Sequence, residues 1–443
     1  MIFLKKKKIL FFIASLFAGF VFVHDVKGGV SSEQKTTKTE AEWTIVTYIQ
    51  SDNNLYYFSN LNISSMEEAG STDQVNILVQ WDQPQNKKTW RYKIEKGGQV
   101  DAGSLNQEMG VNPEREIVEC MQWAKVNYPA KHYMLVLWNH GGGVIDRLVK
   151  VSLSRAIGNL SGDRFWLEVP GLASTTLDDR GILYDDSDHT FLNNQGLANA
   201  LTQIKGVLGK NLDILGMDAC LMAMIEIAYQ VKETTDYLVA AENVEAGEGW
   251  DYAGFLKPLV ANPTAFSSDM LAKTIVESYS NYYEVQDPEY TLSAINVNKI
   301  DNVVSSMNDI LILLDTCNQI NKKRMDKIFK NVRRRVSEFA ISDYIDLDTF
   351  YAALSERMSV RIAAKKTSIR FKNALDKVRA AVEVGRKALA DSVSCYAAGS
   401  QYPDVKGLSI YYPTTSIHSS YQKTLFAQNS RWYSFLQKVL RKG

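Results

Sequence analysis

Between residues 43 and 241, short apolar runs almost free of charge alternate with stretches of helical period, and this alternation limits the fold more than any other feature. The runs at 43–49, 75–81, 90–94, 133–138, 212–216 and 237–241 read as strands. The stretches at 113–128, 193–207 and 221–231 read as helices, with Ile117, Val118, Met121 and Ala124 on one stripe of the first. A strand with no polar face has to be covered on both sides, which a mostly parallel sheet between two helical layers provides. The expected class is α/β. From about residue 263 the pattern turns helical, at 264–283, 299–320, 323–339 and 366–396. Strands at 290–297 and 407–412 are expected to return to the core. The basic runs at 322–324 and 333–335 read as solvated helix faces.

The N-terminus carries a separate signal. Lys5 to Lys8 precede an uncharged apolar stretch at 9–23, which fits a secretory leader better than a spanning helix of about 20 residues. Cleavage is expected near Gly28, giving a leader at 1–28, a polar linker at 29–41, a catalytic domain at 42–262 and a mainly helical subdomain at 263–443. Leu16-Phe17-Ala18-Gly19 resembles a lipobox, but Phe20 stands where the lipidated Cys is required, so no lipid anchor is expected. The expected location is periplasmic or extracellular. Lys plus Arg and Asp plus Glu both total 50, and this balance gives no electrostatic basis for a nucleic-acid partner. Four cysteines, Cys120, Cys220, Cys317 and Cys395, are too few for a disulfide scaffold in a chain of 443 residues and form no CxxC motif. Cys120, Cys317 and Cys395 read as unpaired structural residues.

Two strand ends carry the chemistry. One runs Met134-Leu-Val-Leu-Trp-Asn-His140-Gly141-Gly142-Gly143, and the other Leu212-Asp-Ile-Leu-Gly-Met-Asp218-Ala219-Cys220. In parallel α/β sheets, sites gather at the carboxyl ends of strands, so His140 and Cys220 are expected along one edge. With a helix expected from residue 221, its dipole would stabilise the Cys220 thiolate, and His140 could serve as base. The glycines after His140 allow backbone N–H groups to approach a carbonyl oxygen, as an oxyanion hole requires. Taken alone, a Cys at a strand end is more often a small buried apolar residue, and a His before glycines is a turn residue as often as a base. No G-x-S-x-G, H-E-x-x-H or complete Walker A sequence is present.

Further blocks accompany these two: Trp43-Thr-Ile-Val-Thr-Tyr-Ile, Asp52-Asn53-Asn54-Leu55, Tyr184-Asp185-Asp186, Glu248-Gly249-Trp250-Asp251-Tyr252 and Gly407-Leu-Ser-Ile-Tyr-Tyr-Pro413. In this order they resemble the clostripain family of clan CD, caspase-like cysteine peptidases. The resemblance implies a caspase-like αβα sandwich with a helical C-terminal subdomain. It also implies a His140–Cys220 dyad with no third orienting residue, an oxyanion hole from the backbone of Gly141 and Cys220, and protein or peptide substrates cut after Arg or Lys.

Under that resemblance Asp218 and Glu248 are the candidate acids of the S1 pocket, since a carboxylate pairs with a guanidinium or ammonium. Asp218 serves equally as a helix N-cap. Relatives are cut internally between His and Cys, and here an activation loop at 146–183 holds Arg147, Lys150, Arg155, Arg164 and Arg180. The Arg180–Gly181 bond is the expected cut, leaving a monomer of two associated chains. No cofactor or metal is expected to be required. Some relatives need calcium, and Asp185-Asp186-Ser187-Asp188 offers oxygen ligands, but it lacks EF-hand spacing and reads as a solvated loop. The competing reading is an exported binding protein of the same fold without activity.

Overall fold

The computed structural model describes residues 39–84, 86–145 and 181–440. Its frame is one mixed sheet of nine strands. Strands β1 (Ala41–Ile49), β2 (Val75–Trp81), β3 (Trp90–Glu95), β4 (Gly98–Asp101) and β5 (Ala130–Trp138) precede the undescribed residues 146–180. After them come a small hairpin of β6 (Ile182–Asp185) and β7 (Thr190–Leu192), then β8 (Leu212–Asp218), β9 (Thr235–Ala240), β10 (Thr291–Asn296), β11 (Tyr344–Asp346), β12 (Val393–Ala398) and β13 (Ser409–Tyr411). The large sheet runs β12-β10-β9-β8-β5-β1-β2-β3-β4. Its central pairs, β9–β8, β8–β5, β5–β1 and β1–β2, are parallel, while the pairs toward both edges are antiparallel.

The uncharged strands are buried on both faces, as a parallel core demands. On β5, Tyr133, Leu135 and Leu137 enter one apolar layer, and Met134, Val136 and Trp138 enter the other. The first layer is completed by α2 (Pro113–Asn127), α3 (Asn194–Leu208) and α4 (Ile225–Val231), and the second by α1 (Tyr56–Glu67), α5 (Tyr252–Ala261) and α6 (Ser268–Tyr283). The helices begin where the sequence can satisfy their free N–H groups. The Asn112 side chain accepts from Arg115 N with Pro113 at the first helical position, and the Asn193 side chain accepts from Gly196 N. Each such cap contributes about 1 kcal/mol. The result is the expected αβα sandwich.

The C-terminal helices α7 (Ile300–Arg333), α8 (Leu347–Ala363), α9 (Ile369–Ser392), α10 (Leu425–Asn429) and α11 (Trp432–Leu440) extend the first layer. Two helices were expected at 299–320 and 323–339. They form one run broken at Asn321, whose φ of −154° and ψ of 78° leave the helical region. The helix expected at 366–396 ends at Ser392, and its last residues become β12 at the sheet edge. No helix among the described residues is long and apolar enough to cross a membrane. All four cysteines are free; Cys120 and Cys317 are buried, Cys395 only partly. The leader and most of the linker lie outside the described residues.

Candidate active site

The carboxyl ends of the adjacent parallel strands β5 and β8 bring His140, Asp218 and Cys220 to one small cavity, with Leu55, Trp138, Asn139, Ala219 and the loop at 245–249 completing its wall. Two features allow so tight an approach. A Cβ on Gly141 would stand 2.3 Å from the Cys220 carbonyl oxygen, and one on Gly216 would stand 2.9 Å from the Trp250 ring. Both positions therefore exclude a side chain.

Cys220 does not stand at a helix N-terminus. The chain turns through Leu221, whose φ is +66°, and α4 begins only at Ile225. Between them Leu221 N donates to Asn243 O (3.0 Å) and Ala223 N to Ala241 O (2.8 Å), so the segment follows the end of β9 instead of coiling. A dipole that fades within the first turn does not reach the thiol. Its partner is backbone: Glu245 N donates to Cys220 Sγ at 3.3 Å, and the thiol faces Glu245 O at 4.0 Å. Burial pushes the thiol up to about 12.

His140 is held from two sides. Its backbone N donates to Asn139 Oδ1 (2.5 Å), while Nε2 lies 2.7 Å from Asn54 Oδ1. An amide oxygen only accepts, so the proton sits on Nε2 and Nδ1 is left as the basic atom. Burial lowers the imidazole to about 4. Asn54 was part of a quoted motif but had no assigned role; it contacts His140 only because β1 and β5 are neighbours. Among the hydrogen bonds of the described residues none joins the thiol to the imidazole. At neutral pH both are uncharged.

Asp218 is buried. Its Oδ2 accepts from Tyr252 O–H (2.8 Å) and Trp250 N (3.3 Å), and burial raises its carboxyl to about 6. Its companion is Glu245. This carboxyl is buried against Asp218, and burial followed by the Asp218 charge holds it well above the usual range. Among the described residues neither Glu245 side-chain oxygen has a hydrogen-bond partner, and two carboxyls this close disfavour a second charge. Glu248, expected beside Asp218, does not line the cavity, although Gly247 and Gly249 do; its carbonyl accepts from Asn62 Nδ2 at 2.7 Å. Nothing in the sequence separates Glu245 from Glu248, because only the fold of the loop decides which turns inward.

Gly141 pairs with Ile182 across a β-bridge, and Gly142 N donates to Gly181 O at 3.1 Å. Gly181 is buried, and a Cβ there would stand 2.3 Å from Leu192 O. Arg180, Arg147, Lys150, Arg155 and Arg164 lie outside the described residues. The cavity itself is about 30 Å³.

On the other side of β1, Asp52, Asp82 and Asp185 converge, all buried, with ligand-capable oxygens within 4.8 Å of one another. Asp185 was expected in a solvated loop; instead it closes β6 in the interior.

A family model for the clostripain family matches residues 47–439. Clostripain of Hathewaya histolytica is 23% identical over 377 residues, which is 72% of this chain and 66% of that protein, so the match spans just under two thirds of the relative's length. A secreted C11 cysteine protease of Bacteroides thetaiotaomicron superposes with a TM-score of 0.61 at 16% identity, over 88% of this chain and 99% of its own. An inactive zymogen C11 protease of Parabacteroides distasonis superposes with a TM-score of 0.55 at 17% identity, over 91% and 99%.

Proposed function

The chain belongs to the clostripain family of cysteine peptidases, and from that premise we propose that it is an exported endopeptidase in which Cys220 attacks, His140 carries protons, and a basic P1 residue is bound by Asp218 and Glu245. The observation that carries this reading is the meeting of His140, Asp218 and Cys220 in one cavity at the ends of β5 and β8. In the open enzyme the thiol gives its proton to His140 Nδ1 and sulfur bonds to the scissile carbonyl carbon. The carbonyl oxygen takes the negative charge, facing the backbone N–H groups of Cys220 and Gly141. His140 then delivers the proton to the leaving amine, and the C–N bond breaks. Water, giving a proton to His140, cleaves the thioester, and the thiol recovers its proton.

P1 selection follows from charge. Asp218 and Glu245 are buried without a paired cation among the described residues, and burial favours the protonated form of each. A Lys or Arg side chain entering the pocket would pair with them as they release protons to solvent.

We read this arrangement as that of a resting precursor, because no hydrogen bond joins the thiol to the imidazole among the described residues, and burial disfavours the charged form of both, raising the thiol to about 12 and lowering the imidazole to about 4. Opening the 245–249 loop admits water and substrate and brings both values back toward their ordinary range. Internal cleavage at a basic residue of the 146–180 connection supplies the trigger. For Arg180–Gly181 to be the bond cut, Gly181 has to leave its buried place beside Leu192 first. Export rests on the leader at residues 1–28.

The test is a set of peptides differing only at P1, given to the wild type and Cys220→Ala, with a denaturing gel and N-terminal sequencing of each protein. Hydrolysis after Lys or Arg, two bands in the wild type and one in the variant are expected. Equal hydrolysis by the variant sinks the nucleophile assignment, and equal nicking of the purified variant sinks self-cleavage.

A further inference from the structure

The turn of residues 141–145, directly after His140, is fastened by Tyr344 of β11, far along the chain. Tyr344 is 0% exposed. Its hydroxyl donates to Gly142 O at 2.8 Å and accepts from Ile145 N at 3.0 Å, so one oxygen bridges the two sides of the turn. The ring lies against Gly143, at φ +70°, where a Cβ would stand 2.6 Å from Tyr344 Cε2 and 2.9 Å from Met224 Sδ. That sulfur in turn accepts from Val144 N at 3.3 Å.

The same C-terminal hairpin reaches the turn after Cys220. Tyr344 pairs with Tyr411 in the two-stranded sheet of β11 and β13. From β13, the Ser409 N–H (2.9 Å) and hydroxyl (3.0 Å) both donate to Ala223 O. Met224, the next residue, is the one that touches the glycine turn. The turns that follow His140 and Cys220 are thus anchored to one short sheet outside the large one. Gly141, at the head of the first turn, is buried, and among the described residues no hydrogen bond takes its N–H. A buried N–H without an acceptor is rare, and it marks a place prepared for another oxygen.

We propose that Tyr344 is a positioning residue of the peptidase reaction: with Met224, it holds the glycine turn so that Gly141 N–H faces the oxygen of the scissile carbonyl. This rests on the reading of Cys220 as nucleophile. Three successive glycines allow many backbone conformations, and a donor stabilises the transition state only when it is already aimed. A phenol that bridges both sides of the turn and is itself locked by packing supplies that aim. The C-terminal part thereby acts on the chemistry without lining the cavity. After a cut between 146 and 180, the same hydroxyl joins one chain to the other.

The test compares the cut wild-type enzyme with Tyr344→Phe, which keeps the ring and loses the hydroxyl. A variant that does not cut itself is first treated with immobilised wild type. On a basic-P1 peptide kcat should fall about ten- to a hundredfold, with KM little changed. A peptide aldehyde of the same sequence gives the second readout. Sulfur bonds to its carbonyl carbon, the thiol proton passes to His140, and the oxygen takes the negative charge where the scissile oxygen would. Its Ki should rise by the factor by which kcat falls, while Ki for the corresponding alcohol, which sulfur cannot attack, should stay. Unchanged kcat and aldehyde Ki in Tyr344→Phe overturn the proposal. An equal rise for aldehyde and alcohol also overturns it, by making Tyr344 a support of the pocket. If Tyr344→Phe does not fold, Met224→Leu takes its place, with the same split expected at a smaller size and the same outcomes overturning it. An aldehyde no tighter than its alcohol on the wild type overturns the reading of Cys220 instead.

Discussion

Two groups of buried carboxyls flank His140 and Cys220 on the same edge of the sheet, and each lacks a protein cation among the described residues. In the pair Asp218–Glu245 burial favours the protonated carboxyls, and the pair lines the cavity that contains Cys220. In the trio Asp52–Asp82–Asp185 two carboxylates are pinned by backbone N–H groups, and Gly110 walls them off. The first pair stands beside the thiol, where a substrate side chain would enter, and the trio is held by backbone N–H groups and the Gln50 amide.

The largest effect separates both groups from the chemistry. Cys220→Ala and His140→Ala should each lower kcat/KM by about four orders of magnitude or more, because nucleophile and base act as a unit. The melting temperature should stay close to that of the wild type. A large loss of stability in Cys220→Ala would make the cysteine a structural residue, and the contrast between the two groups would fail.

Asp218→Asn should come next. Leaving a desolvated P1 cation half-paired costs about 3–5 kcal/mol, so kcat/KM for Lys and Arg peptides should fall about 10²–10³-fold more than for a neutral P1. Equal losses on both classes would make Asp218 a support of the Trp250–Tyr252 turn. Glu245→Gln should repeat the selectivity, and Glu248→Ala should not.

Asn54→Ala is expected to be smaller, with kcat falling about tenfold and KM little changed, because the imidazole loses its orienting acceptor while the P1 pocket is untouched. A change confined to KM would move Asn54 from the imidazole to the substrate.

The smallest effect is on stability against pH. Asp218 has a folded value of about 6, above its ordinary range near 3.8, so the folded state holds this proton more tightly than the unfolded chain. Its stabilising contribution is present below about pH 4 and is lost as pH rises through about 6. Melting curves of the wild type should fall relative to those of Asp218→Asn over that interval. Parallel curves would mean that Asp218 is already ionised at pH 4 and holds no proton of its own.

The strands that carry this arrangement were legible because full burial leaves an apolar run, uncharged at 43–49 and 133–138 and broken only by Asp213 at 212–216. So were His140 and Cys220, which follow two of those runs. The start of α4 was not. Leu221 to Ile225 have the composition of a buried helix turn, but tertiary pairing with Ala241 and Asn243 takes their N–H groups. Glu245 was hidden beside Glu248 in one loop, and Asp52, Asp82 and Asp185 lie on separate segments that only the sheet order brings together. Local pattern reports burial and period; it carries no information about which distant carboxyls will meet.

The seam between β5 and β8 has one more consequence. Everything before residue 146 supplies one side of it, and everything after 180 supplies the other, so a chain cut in between regains its sheet only by encounter of two molecules. Refolding then becomes second order, and at high dilution an unfolded copy seldom finds its other half. The working lifetime of a cut molecule is set by how slowly it first unfolds, and its depth of equilibrium stability matters less.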